Sequence, residues 1–341
     1  MFEVQGRGRY CPFLYSVWRG RTQECSGYSP LLWTRGIYTE NHHSIKRLFE
    51  VSISNISGFI PLKKDRGLSS NQVIQRLKKR LDITKIGHCG TLDPIADGVL
   101  PVTVNKATRT MRYFLRYKKT YVATIRFGIE TDTLDISGRV LSESDRLVGR
   151  EAVEDALGEF RGGYVQKTPA FSARKYKGKS LYHYARRGVQ VPDRHRVVDI
   201  DELVLTVFDF PFAEIRIVCG SGTYIRQLIV DICRRVDTVG TMYSLTRCEY
   251  GIFGLQGSKG VDELSISDVI PVSKVFTDFG RFGIRSTQLN LAKNGSGIDG
   301  SDCEFVDRGS ADEFFGLFDG EPVGIYRMVD GVFRPEVILI E

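Results

Sequence analysis

The sequence predicts an α+β protein in which a large domain of interleaved strands and helices is followed by a small β-rich one. Three observations carry this. A chain of 341 residues with 42% apolar content can bury one large core and a second, smaller one. Apolar residues switch between helical and alternating spacing in a mixed order that never settles into strand–helix–strand repeats. Past Phe253 the long helical patterns thin out, and Gly, Asp and short apolar runs such as 323–326 and 337–340 replace them.

Regular structure begins near Gly58, with residues 59–62 as a short strand and 63–67 as a turn. Ser69 or Ser70 caps a helix over 71–81, where Val73, Ile74, Leu77 and Leu81 share one face and Arg76, Lys79 and Arg80 lie mostly on the other. That basic face is either a solvated surface or a contact for a polyanion. After a turn around Gly87 and Gly90, residues 98–104 read as a buried strand and 107–116 as a helix. Tyr121, Ala123, Ile125 and Phe127 then alternate with Val122, Thr124 and Arg126, as a half-buried strand requires. Residues 214–219 are strand-like, 220–222 form a tight turn, and 224–235 have helical spacing through Ile225, Leu228, Ile229 and Ile232. A helical linker near 262–275 leads to the β-rich part. Residues 1–54 show no periodicity that assigns them. An extended tail, an organelle-targeting segment and sequence upstream of the true start site all stay open, although the lack of an amphipathic helix weighs against targeting.

The formal net charge is +7, and its distribution is more informative than its sign. Residues 55–130 carry fifteen basic against five acidic side chains, and residues 161–196 carry ten against one. Residues 278–341 reverse this, with six basic against twelve acidic. The two basic stretches are therefore the candidates for a phosphate-contacting surface. Seven scattered cysteines, without a CxxC pair, argue against a disulfide framework and a zinc site. No run of about eighteen apolar residues exists, which argues against membrane insertion and favours the cytoplasm.

Between the first helix and the buried strand, Gly87, Gly90, Asp93, Pro94 and Gly98 crowd into twelve positions. The glycines permit close approach and Pro94 stiffens the backbone beside the Asp93 carboxylate. By spacing alone Asp93 is a turn residue as readily as a catalytic one. The segment 87–101, Gly-His-Cys-Gly-Thr-Leu-Asp-Pro-Ile-Ala-Asp-Gly-Val-Leu-Pro, resembles the central motif of the TruB family of tRNA pseudouridine synthases. Residues 64–70, 172–186, 219–226 and 241–253 resemble further blocks of that family in the same order, and the similarity runs from about Ile56 to the end.

The resemblance implies a pseudouridine synthase catalytic fold, a mixed and mainly antiparallel sheet, over 55–260. It also implies a linker over 261–277, a PUA-like domain over 278–341, and leaves 1–54 as an extension of unknown role. It makes Asp93 the catalytic carboxylate, acting on the uracil ring, on the ribose anomeric carbon, or in an elimination. A carboxylate in a water-excluding pocket needs a cation to stay charged, and Arg226 is the implied partner. Tyr121 is implied to stack on the target base and to serve in proton transfer at C5, and Leu245 to wall the uracil. His88 is implied to fill the space that a flipped nucleotide vacates. Tyr224, Lys64, Lys175 and Lys177 complete the expected substrate contacts, the last two within a basic, aromatic block suited to gripping an RNA loop. Base detachment, rotation and reattachment require no metal and no cofactor.

The expected substrate is the uridine at position 55 in the T-arm stem-loop of tRNA, modified by a monomer without guide RNA or an obligate protein partner. A tRNA-remodelling binding protein and a guide-dependent relative are the competing readings. Two departures from the family pattern, Asp65 in place of Pro and Cys89 in place of a Thr or similar small residue, remove no catalytic group.

Overall fold

A computed structural model describes residues 56–172 and 174–340; the extension expected over 1–54 lies outside them. The larger sheet is built from β1 (Gly58–Lys64), β2 (Ile86–His88), β3 (Asp97–Val104), β4 (Lys119–Phe127), β5 (Gly162–Lys167), β6 (His195–Asp209), β7 (Phe212–Cys219), β8 (Gly240–Tyr250), β9 (Phe253–Gly254) and β10 (Ile270–Pro271). Its order is β10-β1-β3-β8-β4-β7-β6-β5, with β2 added to β3 and β9 to β8. Every pairing in it is antiparallel except β3 with β8. The expected mixed, mainly antiparallel α+β fold is what the chain adopts.

Local chemistry explains the elements. Helix α1 (Ser70–Arg80) starts at Ser69, whose Oγ accepts from the Gln72 amide while the Gln72 side chain accepts from the Ser69 amide. It buries Val73, Ile74 and Leu77 and leaves its basic face outward. In β4, Tyr121, Ala123, Ile125 and Phe127 are buried and Val122, Thr124 and Arg126 less so. They pack with Ile225, Leu228, Ile229 and Ile232 of helix α3 (Ile225–Arg235), forming one apolar cluster on a single face of the sheet. Helix α2 (Arg150–Glu159), for which the sequence carries no clear signal, adds Val153 and Leu157 to the same cluster.

Two elements differ from expectation. Residues 107–116 are not one helix but a 3-10 turn, Asn105–Thr110, followed by a single α-turn, Met111–Phe114. The Thr108 and Thr110 hydroxyls donate to the carbonyls three residues back, both at 2.8 Å, which favours the tighter winding. Nor is the segment 262–275 one helix. It contains the 3-10 turn Ile266–Asp268, then β10, which pairs with β1, then the short helix Val272–Val275. Pro271 has no amide hydrogen to continue a helix.

The smaller sheet comprises β11 (Gly280–Gly283), β12 (Ile298–Asp299), β13 (Glu304–Asp307), β14 (Glu313–Phe318), β15 (Glu321–Val329) and β16 (Val332–Ile338), in the order β12-β16-β15-β14-β11-β13. This is the small β-rich, PUA-like form. Phe59, Tyr113, Phe114, Phe276, Phe279 and Phe315 pack as one aromatic cluster drawn from both sheets and the segment between them. Beside it, the buried Glu313 accepts from Arg116 Nη1 and Nη2 and from Arg327 Nη2, each at 3.0 Å. The acidic C-terminal part thus uses several of its carboxylates to hold the basic part, since Glu336 likewise accepts from Arg112 and Asp278 from Tyr117.

The single parallel pairing of the larger sheet places the loop that carries Asp93. It sets Asp97 opposite Thr246 and Gly98 opposite Arg247, so the loop that precedes β3 emerges beside the middle of β8. On the other flank of β8, Arg247 stands opposite Tyr121 and Leu245 opposite Ala123. Gly98 has φ +110°, and a Cβ there would lie 2.3 Å from the Arg247 carbonyl oxygen. We expect Gly98→Ala to lower stability by at least about 2 kcal/mol through strain and backbone collision, read from the urea midpoint; an unchanged midpoint would contradict this account of the close approach.

Candidate active site

The loop carrying Asp93 is tied down on every side. Ser70 Oγ, at the start of α1, donates to the Leu92 carbonyl and accepts from the Leu92 amide, both at 2.9 Å. The Gly67 amide donates to the Pro94 carbonyl at 2.7 Å, and the Ala96 amide to the Asp93 carbonyl at 3.0 Å. Asp97 accepts from Arg66 Nε at 2.7 Å and from the Thr246 hydroxyl at 2.5 Å. With its backbone committed in this way, the Asp93 side chain is held in one place, which is what a reacting group requires.

Its partner is Arg226, in the first turn of α3. Nε donates to Asp93 Oδ2 at 2.8 Å and Nη2 to Oδ1 at 3.2 Å, a two-pronged pairing. The remaining donors go to the Thr133 carbonyl at 2.7 Å and the Phe171 carbonyl at 2.9 Å. The Arg226 side chain is only 6% exposed whereas that of Asp93 is 31% exposed, so the cation lies beneath and the carboxylate opens outward. The turn that places Arg226 is itself braced, since Gln166 accepts from the Tyr224 amide at 2.8 Å and donates to the Tyr224 carbonyl at 3.1 Å.

Tyr121 and Leu245 are buried in the large apolar cluster on the strands flanking this loop. Burial pushes the Tyr121 hydroxyl above its ordinary pKa, Arg247 opposes that shift, and Asp93 lies near enough to add to it. Asp93, Arg226, Tyr121 and Leu245 therefore gather from four separate stretches of sequence. His88 sits on β2 opposite Val102, half-buried, with Nδ1 enclosed and without a hydrogen-bond partner. Burial and the nearby Arg247 lower its pKa, which favours the neutral imidazole.

Lys64 requires a correction. Expected to touch substrate, it is fully buried, and its Nζ donates to the carbonyls of Ala96 at 2.5 Å and Asp65 at 3.0 Å. Burial lowers its pKa to about 8, against the opposing pull of Asp97, Asp93 and Asp65. It holds the Asp93 loop from below and has no surface for RNA. Lys175 and Lys177 lie instead on an exposed hairpin of Lys175–Tyr176 with Lys179–Ser180. Lys177 Nζ and Arg194 Cζ sit 5.5 and 5.0 Å from the centre of the Tyr176 ring. The segment leading into this hairpin reaches the site through the Phe171 carbonyl held by Arg226.

Two buried cations escaped the sequence expectations. Arg247 donates from Nη2 to the Gly90 carbonyl at 3.1 Å and from Nε to the Val99 carbonyl at 2.7 Å, spanning the Asp93 loop. Lys119 donates to Ser221 Oγ at 2.8 Å and lies 4.4 Å from the centre of the Tyr250 ring. Their sequence signal is a cation inside a strand whose neighbours alternate between buried and open. Among the described residues no cluster of three or more His, Cys, Asp or Glu is arranged for a metal ion, and no helix is long and apolar enough to cross a membrane.

The overall fold is shared with chains of two solved complexes. One, the structure of an H/ACA RNP bound to a substrate RNA containing 2'-deoxyuridine, matches with a TM-score of 0.64 at 21% identity, over 85% of this chain and 86% of that one. Another, a Cbf5-Nop10-Gar1 complex, matches with 0.64 at 22% identity, over 85% and 87%. In sequence, residues 78–225 match the model of the TruB family pseudouridylate synthase N-terminal domain. The tRNA pseudouridine synthase B of Caldicellulosiruptor saccharolyticus is 36% identical over 222 residues, 64% of this chain and 76% of that protein. The enzyme of the same name from Francisella tularensis subsp. novicida is 39% identical over 233 residues, 66% and 77%. The family match and these relatives identify a pseudouridine synthase, an isomerase. Within that class, this chain belongs to the TruB family.

Proposed function

We propose that this chain converts the uridine at position 55 of the tRNA T arm into pseudouridine, with Asp93 as the reacting carboxylate and without a guide RNA. The observation that carries the reading is the Asp93–Arg226 pair, an outward-facing carboxylate clamped from beneath on a pinned loop beside Tyr121 and Leu245. The relatives at 36–39% identity bear the name tRNA pseudouridine synthase B, which supports tRNA as substrate. We assign the catalytic domain to 55–260, the linker to 261–277 and the PUA-like domain to 278–341. The protein is taken as a cytoplasmic monomer.

The isomerisation breaks the bond from uracil N1 to ribose C1', turns the base, and joins C5 to C1'. Asp93 serves as nucleophile or as the stabiliser of positive charge developing on the sugar. Arg226 keeps that carboxylate oriented. Reaching the uridine requires extruding it from the loop, at a cost of a few kcal/mol. To His88, half-buried with an unsatisfied Nδ1, we assign the vacated space. Tyr121 and Leu245 receive the uracil, and Tyr224 completes the wall at the start of α3.

The exposed hairpin supplies phosphate contacts. Replacing Lys175 and Lys177 together with Ala lowers tRNA affinity and reduces the slope of log K against log salt by roughly 1 to 2, since each lost contact is worth about 0.7–0.9. Filter binding across a salt series reads this, and an unaltered slope would remove the hairpin from the interface. For the function itself, the purified chain is incubated with a T-arm stem-loop transcript alone. Pseudouridine in that hairpin supports stand-alone action; its absence, with conversion only when a guide RNA is added, would favour guide dependence.

A further inference from the structure

The Arg247 side chain is fully buried, with the residue 1% exposed, and among the described residues no carboxylate forms an ion pair with it. Its donors go to two carbonyls, those of Gly90 and Val99, which bracket the Asp93 loop. Its guanidinium stands 5.1 Å from the centre of the Tyr250 ring. A charge taken out of water with only neutral acceptors is costly, and such an arrangement makes physical sense where the charge acts on a neighbour. That neighbour is Tyr121, directly opposite Arg247 across the β4–β8 pairing.

We infer that Arg247 is the positioning residue that equips Tyr121 to take the proton from uracil C5, its buried guanidinium being the counter-charge to the Tyr121 phenolate. The inference rests on the pseudouridine synthase reading and deepens it. In that step the C5–H bond breaks and the proton passes to the phenolate oxygen, giving phenol, while the electron pair stays with the ring. The isomerisation moves one proton overall, from C5 to N1. The same proton, or one exchanged with water, goes to N1 and restores the phenolate, so no outside acid, base or oxidant is consumed.

The groups that face Tyr121 decide which charge does this. Arg247 on β8, directly opposite Tyr121, acts on its hydroxyl by charge and opposes the rise that burial imposes. Asp93, on the loop, opposes ionisation, and so does the burial of the ring. Cys219 on β7 is a neutral thiol at ordinary pH, since burial raises its pKa to about 11. Tyr250, farther along β8, is likewise neutral because burial pushes its hydroxyl up. Arg226 is committed to Asp93. Arg247 is thus the cation that favours a Tyr121 phenolate.

The test is the pH dependence of single-turnover pseudouridine formation by wild type, Arg247→Met and Arg247→Lys. With the counter-charge removed, the phenolate forms only at higher pH. Arg247→Met therefore loses roughly 10²-fold at neutral pH and regains much of this as pH rises, with its rising limb displaced to alkaline values. Arg247→Lys, which keeps the charge but not the fork, falls between. A ring-fluorinated tyrosine at position 121, whose phenol is more acidic, restores activity to the Arg247 variants at neutral pH. Thermal melting identifies any variant that fails to fold, and Arg247→Lys then carries the comparison. Equal loss at every pH, with no recovery from the fluorinated ring, would overturn the inference and leave Arg247 as a clamp for the loop. If wild type itself makes no pseudouridine, the functional reading fails instead, so the two failures are separable.

Discussion

Asp93→Asn abolishes pseudouridine formation, by at least roughly 10³-fold, while tRNA binding stays within about twofold of wild type. The substitution is nearly isosteric. The Asn oxygen can still accept from Arg226 Nε, now 2.8 Å from Asp93 Oδ2, and the backbone bonds that pin the loop do not involve the side chain. What is lost is the negative charge that attacks or stabilises. Single-turnover assays with isolated tRNA measure the rate, and filter binding measures the affinity. Unchanged product formation would remove Asp93 from the chemistry and leave it serving only the turn, whereas a wild type that binds tRNA and forms no pseudouridine would favour the view of the protein as a tRNA-remodelling binder.

Arg226→Met has the second largest effect, and it acts on both stability and rate. Arg226 joins three places: Asp93, the Thr133 carbonyl and the Phe171 carbonyl. Its removal leaves a carboxylate without its cation and two carbonyls without donors. Breaking a buried pair from one side costs about 3–5 kcal/mol, and because the Asp93 side chain is 31% exposed, water recovers part of this. We expect a loss of about 2–3 kcal/mol in urea unfolding, together with a fall in kcat of at least roughly 10²-fold. Arg226→Lys recovers part of the stability but little of the rate, since one ammonium cannot reproduce the two-pronged grip. A stable, fully active Arg226→Met protein would show that the pair is incidental to catalysis.

Much of the architecture was legible because burial and periodicity agree in it. Tyr121, Ala123, Ile125 and Phe127 announce β4 by strict alternation, and Ser69 or Ser70 announces the start of α1, which the structure caps with Ser69. The long strand β6 was not legible. Its pairing with β7 shifts register between Ile200 and Glu202 and again between Leu205 and Val207, so its apolar residues do not keep a period of two. Helix α2 was missed because a short helix that buries only Val153, Ala156 and Leu157 offers little periodic signal.

The site divides along the same line. Asp93, Arg226, Tyr121 and Leu245 were named from resemblance in ordered blocks, and no local pattern would have joined positions so far apart. It takes the parallel register of β3 and β8 to bring the blocks together. Lys64 was carried over as a substrate contact with the resembling block 64–70, and the fold buries it completely. Its ammonium instead donates to the Ala96 and Pro94 carbonyls of the loop, which only the three-dimensional path of residues 93–97 reveals. Arg247 was overlooked because an arginine is not expected on a covered face: it shares the face of the buried Leu245 two residues before it, and the neighbouring strand and the Asp93 loop cover it.

The most direct test of the central claim uses purified protein, full-length unmodified tRNA transcript and a chelator, with no other addition, followed by nuclease digestion and mass spectrometric mapping of pseudouridine. The expected result is one pseudouridine per tRNA, at position 55, formed by wild type and missing with Asp93→Asn. Pseudouridine at a different uridine, or none at all from a folded, tRNA-binding protein, would contradict it.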